Sequence, residues 1–181
     1  MTRNVDKENL NKIAARYHLS PQISDKQFDH KFHDLCMQWV VENLKEGSRV
    51  LEMGFGEGNV TKGLLKANMK VEIVEGAALL VEKAQQKYGS DVTTHHELFE
   101  SFKPKGKFDC ILATNILEHV DDPIATLEMV SRWSDETTLL VVTVPNAMSF
   151  HRRLAVKMGL QPNLDTLSER DHLVGHQRVY D

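Results

Sequence analysis

The chain has 181 residues, 22 basic and 26 acidic side chains and a net charge of −4. This is the length of one domain with room for a substantial core, and the slight acidic balance leaves no basic footprint for nucleic acid. Cys36 and Cys110 lie far apart in apolar segments, as buried thiols in a reducing compartment do, rather than as a disulfide framework. The polar start is not a secretory signal and no run reaches the roughly 18 apolar residues of a membrane span. The expectation is a soluble cytoplasmic protein with no nucleic-acid or membrane partner.

Residues 1–23 are polar and weakly periodic, a short helix or an arm. Ser24 and Gln27 then fit a capping box. The helix it opens would place Phe28, Phe32, Leu35, Cys36, Trp39 and Val40 on one face and end near Gly47. That face is expected to pack on a sheet.

Arg49 to Met53 reads as a strand and runs into Gly54-Phe55-Gly56-Glu57-Gly58. Glycine tolerates positive φ and lets a ligand approach the backbone, and a strand, glycine turn and helix form the nucleotide crevice of open α/β sheets. The dinucleotide fingerprint needs a third glycine at 59, where the chain has Asn. Glu52 and Glu57 bring negative charge to the loop, which disfavours a pyrophosphate and favours a cationic or zwitterionic ligand. The segment resembles the first motif of the class I S-adenosylmethionine-dependent methyltransferases, a strand ending in (Asp/Glu)-x-Gly-x-Gly-x-Gly. The likeness runs from about Phe28 to the C-terminus and implies S-adenosyl-L-methionine as cofactor, held by Glu52, Gly54, Phe55, Gly56 and Gly58.

A helix over 58–68 leads to a second strand, Lys70 to Glu75, followed by Gly76. A carboxylate at a strand's C-terminal edge can accept from both ribose hydroxyls. The matching acid of the resembled family does so, which assigns Glu75 to the ribose and Gly76 to the cofactor set. Glu72, alternating with Val71 and Ile73, is expected to face solvent. A helix over 76–88 ends at Tyr88-Gly89, a natural C-cap. The third strand, Asp91 to His95, leads into Leu98, Phe99 and Glu100, which the resemblance places around the adenine. His95 and His96 point to opposite faces of a strand and do not make a metal pair.

The fourth strand, Phe108 to Thr114, ends in Asn115-Ile116-Leu117-Glu118-His119-Val120-Asp121-Asp122-Pro123. Many small-molecule methyltransferases carry a similar Leu-Glu-His-Val/Ile-x-Asp-Pro. Thr114 and Asn115 would then face the methionine part of the cofactor, and His119 is the candidate general base because imidazole accepts a proton near neutral pH. Glu118, Asp121 and Asp122 could be read with His119 as a metal cluster. Related ubiquinone-type O-methyltransferases place another Glu where this chain has Asn115, so no metal is expected. Asp122-Pro123 opens a helix over 122–133 as N-cap and N1.

The fifth strand, Thr137 to Val144, is almost all apolar and β-branched, as expected for a strand buried on both faces. The alternation as a whole predicts a doubly wound, mainly parallel Rossmann-like sheet, with a core over 24–145. Residues 146–181 resemble the lid over the substrate pocket in the methyltransferase-23-like branch. They hold the substrate-facing candidates His151 and Arg152 and a second catalytic candidate, His176. The C-terminal strand hairpin of the fold is expected to be missing. An exposed hydrophobic edge is a pairing hazard, so a covering segment or a partner chain, a homodimer included, is expected. The function implied is methyl transfer to an oxygen or nitrogen of a small molecule, the alternative being a non-catalytic cofactor-binding or protein-interaction module derived from such an enzyme.

Overall fold

The structure, a computed structural model, describes residues 6–18 and 26–181, with the backbone alone over 26–29. The Ser24–Gln27 capping box and the side chain of Phe28 thus lie outside the described residues. Five parallel strands form one sheet in the order β3-β2-β1-β4-β5. They are β1 (Arg49–Met53), β2 (Lys70–Val74), β3 (Val92–His95), β4 (Cys110–Thr114) and β5 (Leu139–Thr143). The chain moves outward from β1 through β3 and then returns to lay β4 against the other side of β1. That reversal places a crevice at the carboxyl ends of β1 and β4, where open α/β sheets bind ligands.

Alternation along the central strands feeds two cores. Val50, Cys110 and Leu112 face a layer holding Met37, Val40, Val60, Leu64 and Leu80. Leu51, Met53, Ile111 and Ala113 face a second layer with Phe102, Phe108, Val130 and Trp133. The first layer is carried by α2 (Lys26–Glu42), α3 (Asn59–Lys66) and α4 (Ala78–Tyr88), and the second by α5 (Pro123–Trp133). This is the doubly wound Rossmann-like arrangement. Asp122 caps α5 by accepting from the amide of Ala125 at 3.0 Å, and Gly89 ends α4 with φ +52°.

Three expectations need correction. First, β5 is not buried on both faces: Leu139 and Val141 pack on the first core, whereas Leu140 and Val142 are 40% and 37% exposed. Among the described residues it pairs with β4 alone and forms the sheet's edge. Second, α2 is rotated from the predicted face. Phe32, Leu35 and Trp39 are exposed, while Met37 and Val40 are buried, and Gly63 of α3 sits tight against Met37. The face that packs is His33-Cys36-Met37-Val40-Leu44, with Cys36 only half-buried. Third, Glu72 does not simply face solvent. It accepts from Arg49 Nε at 2.7 Å and lies 2.9 Å from His95 Nε2, and Arg49 stacks over the Phe108 ring. Two charge-assisted bonds hold the Glu72 carboxyl below its ordinary range despite partial burial.

The N-terminal segment is ordered as α1 (Lys7–Ile13), capped by Asp6, and a π-turn over Ala14–His18. After β5 come α6 (Phe150–Lys157) and α7 (Glu169–Val174), the latter opened by a reciprocal Ser168–Asp171 capping box. No helix among the described residues is long and apolar enough to cross a membrane.

Candidate functional site

One cavity of about 1270 Å³ lies along the carboxyl ends of the strands. At one end is the glycine loop. Gly54, Gly56 and Gly58 all adopt positive φ, and the amide of Gly54 bonds the carbonyl of Val74, fixing the loop to β2 at 2.9 Å. A Cβ on Gly58 would come within 2.6 Å of the Phe55 ring, and one on Gly54 within 2.9 Å of Ile116. The ring of Phe55 is buried against Tyr88, whose hydroxyl donates to the carbonyl of Gly58 at 2.9 Å. Phe55 therefore braces the loop from beneath, and what it offers the loop's polar network is its amide.

That amide donates to Oε2 of Glu75 at 2.9 Å, and the amide of Ala77 donates to Oε1 at 2.7 Å. Each carboxylate oxygen has a second lone pair, so Glu75, 7% exposed at the cavity wall, can still accept two hydroxyls. Burial pushes its carboxyl above the usual range, against the pull of these amides.

Glu52 corrects the electrostatic argument from the sequence. It is buried and accepts from Thr61 Oγ1 at 2.6 Å. Burial, partly offset by Thr61, raises its carboxyl to about 8, so at neutral pH it holds its proton in the ligand-free protein. Of the loop's two acids, Glu52 therefore does not bring the charge expected of it.

Leu98, Phe99 and the exposed Glu100 border the cavity beyond Gly76. A Cβ on Gly76 would meet Leu98 at 3.0 Å and Leu10 at 2.5 Å. Leu10 belongs to α1, in the segment expected to be a short helix or an arm. Lys7 donates to the carbonyl of His96, Asn11 accepts from the amide of Leu79, and Arg170 of α7 bonds the hydroxyl of Tyr17. The N-terminal segment thus spans the cavity from the Gly76 side to α7. Its signal was present as Leu10, Ile13, Ala14 and Tyr17 at i, i+3, i+4 and i+7.

Thr114 and Asn115 reach the cavity at the end of β4. Asn115 has φ +55°, and its side-chain oxygen accepts from Thr143 Oγ1 at 3.2 Å. Beyond it His119 and His176 meet with ring centroids 4.8 Å apart. Burial first, and then His176, push the His119 imidazole down to about 3, which leaves it neutral and a weak base at pH 7. His176 is held differently: its Nδ1 lies 2.9 Å from Asp171 Oδ1.

His151 is exposed at the cavity rim, 3.5 Å from Ser149 Oγ. Arg152, expected to face the substrate, borders the cavity and is already paired there. It is 7% exposed and donates to Asp171 at 2.8 Å and to the carbonyl of Thr166 at 2.8 Å. Its role is to pin α7 to α6. Sequence reasoning also missed Gln177 and Arg178, which clasp the segment around His119. Gln177 Nε2 donates to the carbonyl of His119 and Arg178 to that of Val120, both at 2.7 Å.

The Methyltransferase domain family matches residues 28–178. The chain belongs to the class I S-adenosylmethionine-dependent methyltransferases. An uncharacterized methyltransferase of Anoxybacillus flavithermus is 33% identical over 111 residues, covering 60% of this chain and 51% of that protein. The ubiquinone biosynthesis O-methyltransferase of Aromatoleum aromaticum is 28% identical over 134 residues, covering 70% and 57%. This methyltransferase chain therefore spans about half the length of these curated relatives. Magnesium protoporphyrin IX methyltransferase from Synechocystis PCC 6803, solved with bound SAH, shares the fold at a TM-score of 0.68 and 20% identity, over 87% of this chain and 78% of that one. The methyltransferase NodS of Bradyrhizobium japonicum, also solved with that product, shares it at 0.63 and 14% identity, over 84% and 77%.

Proposed function

We propose that the chain transfers a methyl group from S-adenosyl-L-methionine to an oxygen or nitrogen of a small-molecule acceptor. The observation that carries this reading is Glu75: two backbone amides fix its carboxylate beside the glycine loop and leave a lone pair on each oxygen for the two ribose hydroxyls. The sulfonium of the cofactor supplies an electrophilic methyl carbon, so the demanding chemistry is the cofactor's.

The protein's part is placement. The glycine loop admits the ligand's backbone-proximal atoms, Leu98 and Phe99 give the adenine an apolar wall, and Asn115 and Thr114 border the methionine end. The acceptor atom must stand about 3–3.5 Å from the methyl carbon and in line with the bond that breaks. The polar end of the same cavity, at His119 and His176, is where that atom would sit. Between the two candidate bases, the geometry favours His176. With Nδ1–H given to Asp171, its Nε2 keeps a lone pair that can take a proton from an acceptor hydroxyl.

Transfer of a labelled methyl group, screened over hydroxylated and amine metabolites, tests the reading. Labelled product from the wild type and at least ten-fold less from His176→Ala supports it. Equal turnover by His176→Ala removes that residue from the mechanism.

A further inference from the structure

The helix α2 is apolar on two faces, and the chain's own core takes only one of them. Met37 and Val40 are buried in the first layer, with Met37 tight against Gly63 of α3. On the other side Phe32, Leu35 and Trp39 are 40%, 68% and 51% exposed. A surface helix normally turns polar residues outward, whereas a helix apolar all round is a buried one.

The three exposed side chains are not scattered. They fall at i, i+3 and i+7, the 3.5-residue spacing of a seam between two helices. Lys31, Gln38 and Glu42 run along one flank of that seam, all exposed, and Gln38 Nε2 donates to Glu42 Oε1 at 3.1 Å. The cation lies toward the amino end of the stripe. The carboxylate stands in the last turn, where the helix's own dipole disfavours it.

We propose that this face of α2 docks on the same face of a second copy of the chain, the two helices antiparallel about a two-fold axis beside Leu35. A two-fold contact is self-complementary, so every residue must find its match within the one stripe. Reversal about Leu35 achieves this. Leu35 meets its own equivalent at the axis, Phe32 packs on Trp39 of the partner subunit, and Lys31 comes alongside Glu42 of the partner subunit. A parallel pairing would instead set Lys31 against its own copy and Glu42 against its own, like charges in register.

The size of the face sets the strength. Two half-exposed aromatic rings and Leu35 present roughly 300–400 Å² of apolar surface per copy. With the polar flanks of a 17-residue helix, about 25 Å long, a pair would bury about 1,000–1,200 Å². That is the lower end for a specific interface, so the dissociation constant is expected at about 1–100 μM. Phe32 also borders the ligand cavity, which puts the contact at the cavity's rim. The inference rests on α2 alone and is independent of the methyl-transfer reading.

Sedimentation equilibrium of the whole chain from about 1 to 500 μM tests it. The expected result is a monomer–dimer equilibrium, with Trp39 emission moving to shorter wavelength as the dimer forms. Leu35→Glu places two carboxylates at the axis and is expected to weaken association about 100-fold or more, with unchanged circular dichroism because the side chain is exposed. Lys31→Glu should weaken it about 10-fold, and Lys31→Glu combined with Glu42→Lys should recover it to within about three-fold. Val142→Lys, at the edge strand β5, should leave it unchanged. A monomer at the highest concentration, or a dimer that Leu35→Glu leaves intact, overturns the proposal. Failure of the charge swap to restore association overturns the antiparallel arrangement, and a loss in Val142→Lys as large as in Leu35→Glu would move the contact to the sheet edge.

Discussion

The amide of Phe55 donates to the carboxylate of Glu75 at 2.9 Å, tying the loop after β1 to the end of β2. The contact makes one unit of two segments that the sequence presents separately. Glu75 both sets the loop's shape and offers the ribose its acceptors. Replacing it with Ala removes two hydrogen bonds to a carboxylate, each worth about 1.5–3 kcal/mol. Affinity for S-adenosylhomocysteine is therefore expected to fall roughly 100-fold or more, read by calorimetry at a temperature where the variant is folded. Affinity within three-fold of the wild type would remove Glu75 from the site.

Gly58 and Gly47 both adopt positive φ, +76° and +80°, but only Gly58 is hemmed in, with Phe55 and Tyr88 where a Cβ would go. Alanine at Gly47 carries the backbone strain alone, about 1 kcal/mol. At Gly58 the buried Phe55 ring must also move, which adds roughly 1–3 kcal/mol. Urea unfolding of the two variants checks the order, and equal losses would show that the loop yields freely.

The strands were legible because their apolar residues are bounded by turn residues, and β1 falls where its pattern places it. The burial of β5 was not, since a β-branched apolar run reads alike at a sheet's centre and at its edge. On α2, Phe32, Leu35 and Trp39 outweighed Met37 in the pattern, yet tertiary packing selected Met37. The cofactor end of the site was readable because the glycine loop, Glu75 and the segment after β4 each occupy a few consecutive residues. The other end was not. Arg152, Asp171, His176 and Glu118 come together only through the packing of α6, α7 and the last residues, and nothing in a local window shows that Arg152 is already paired.

Glu52 makes stability depend on pH. Its carboxyl lies near 8 in the folded protein against an ordinary 4.5. Between those values the folded state keeps a proton that the unfolded chain has released. Stability therefore falls as pH rises through this window, by up to about 1.4 kcal/mol per pH unit from this group. Below the lower value both states are protonated and the group contributes no slope. Glu52→Gln should flatten the profile between pH 5 and 8. An unchanged slope in urea midpoints across that range would mean that Glu52 is ionised in the fold.

The Arg152–Asp171 pair is buried, with side chains 8% and 11% exposed and 2.8 Å apart. Removing one partner of such a pair typically costs about 3–5 kcal/mol, because the other charge stays behind. Arg152→Leu is expected to speed amide exchange over residues 163–176 while leaving β1 and β4 protected. Uniform acceleration through the sheet would show that the pair supports the whole fold rather than the α6–α7 cover.

The most direct test of the central claim is a crystal structure of the protein with S-adenosylhomocysteine. The account predicts the ribose hydroxyls within about 3 Å of the Glu75 oxygens, the amino-acid portion beside the Gly54–Gly58 loop and the sulfur directed toward His119 and His176. A ligand bound away from Glu75, or no ligand at saturating concentration, would contradict it.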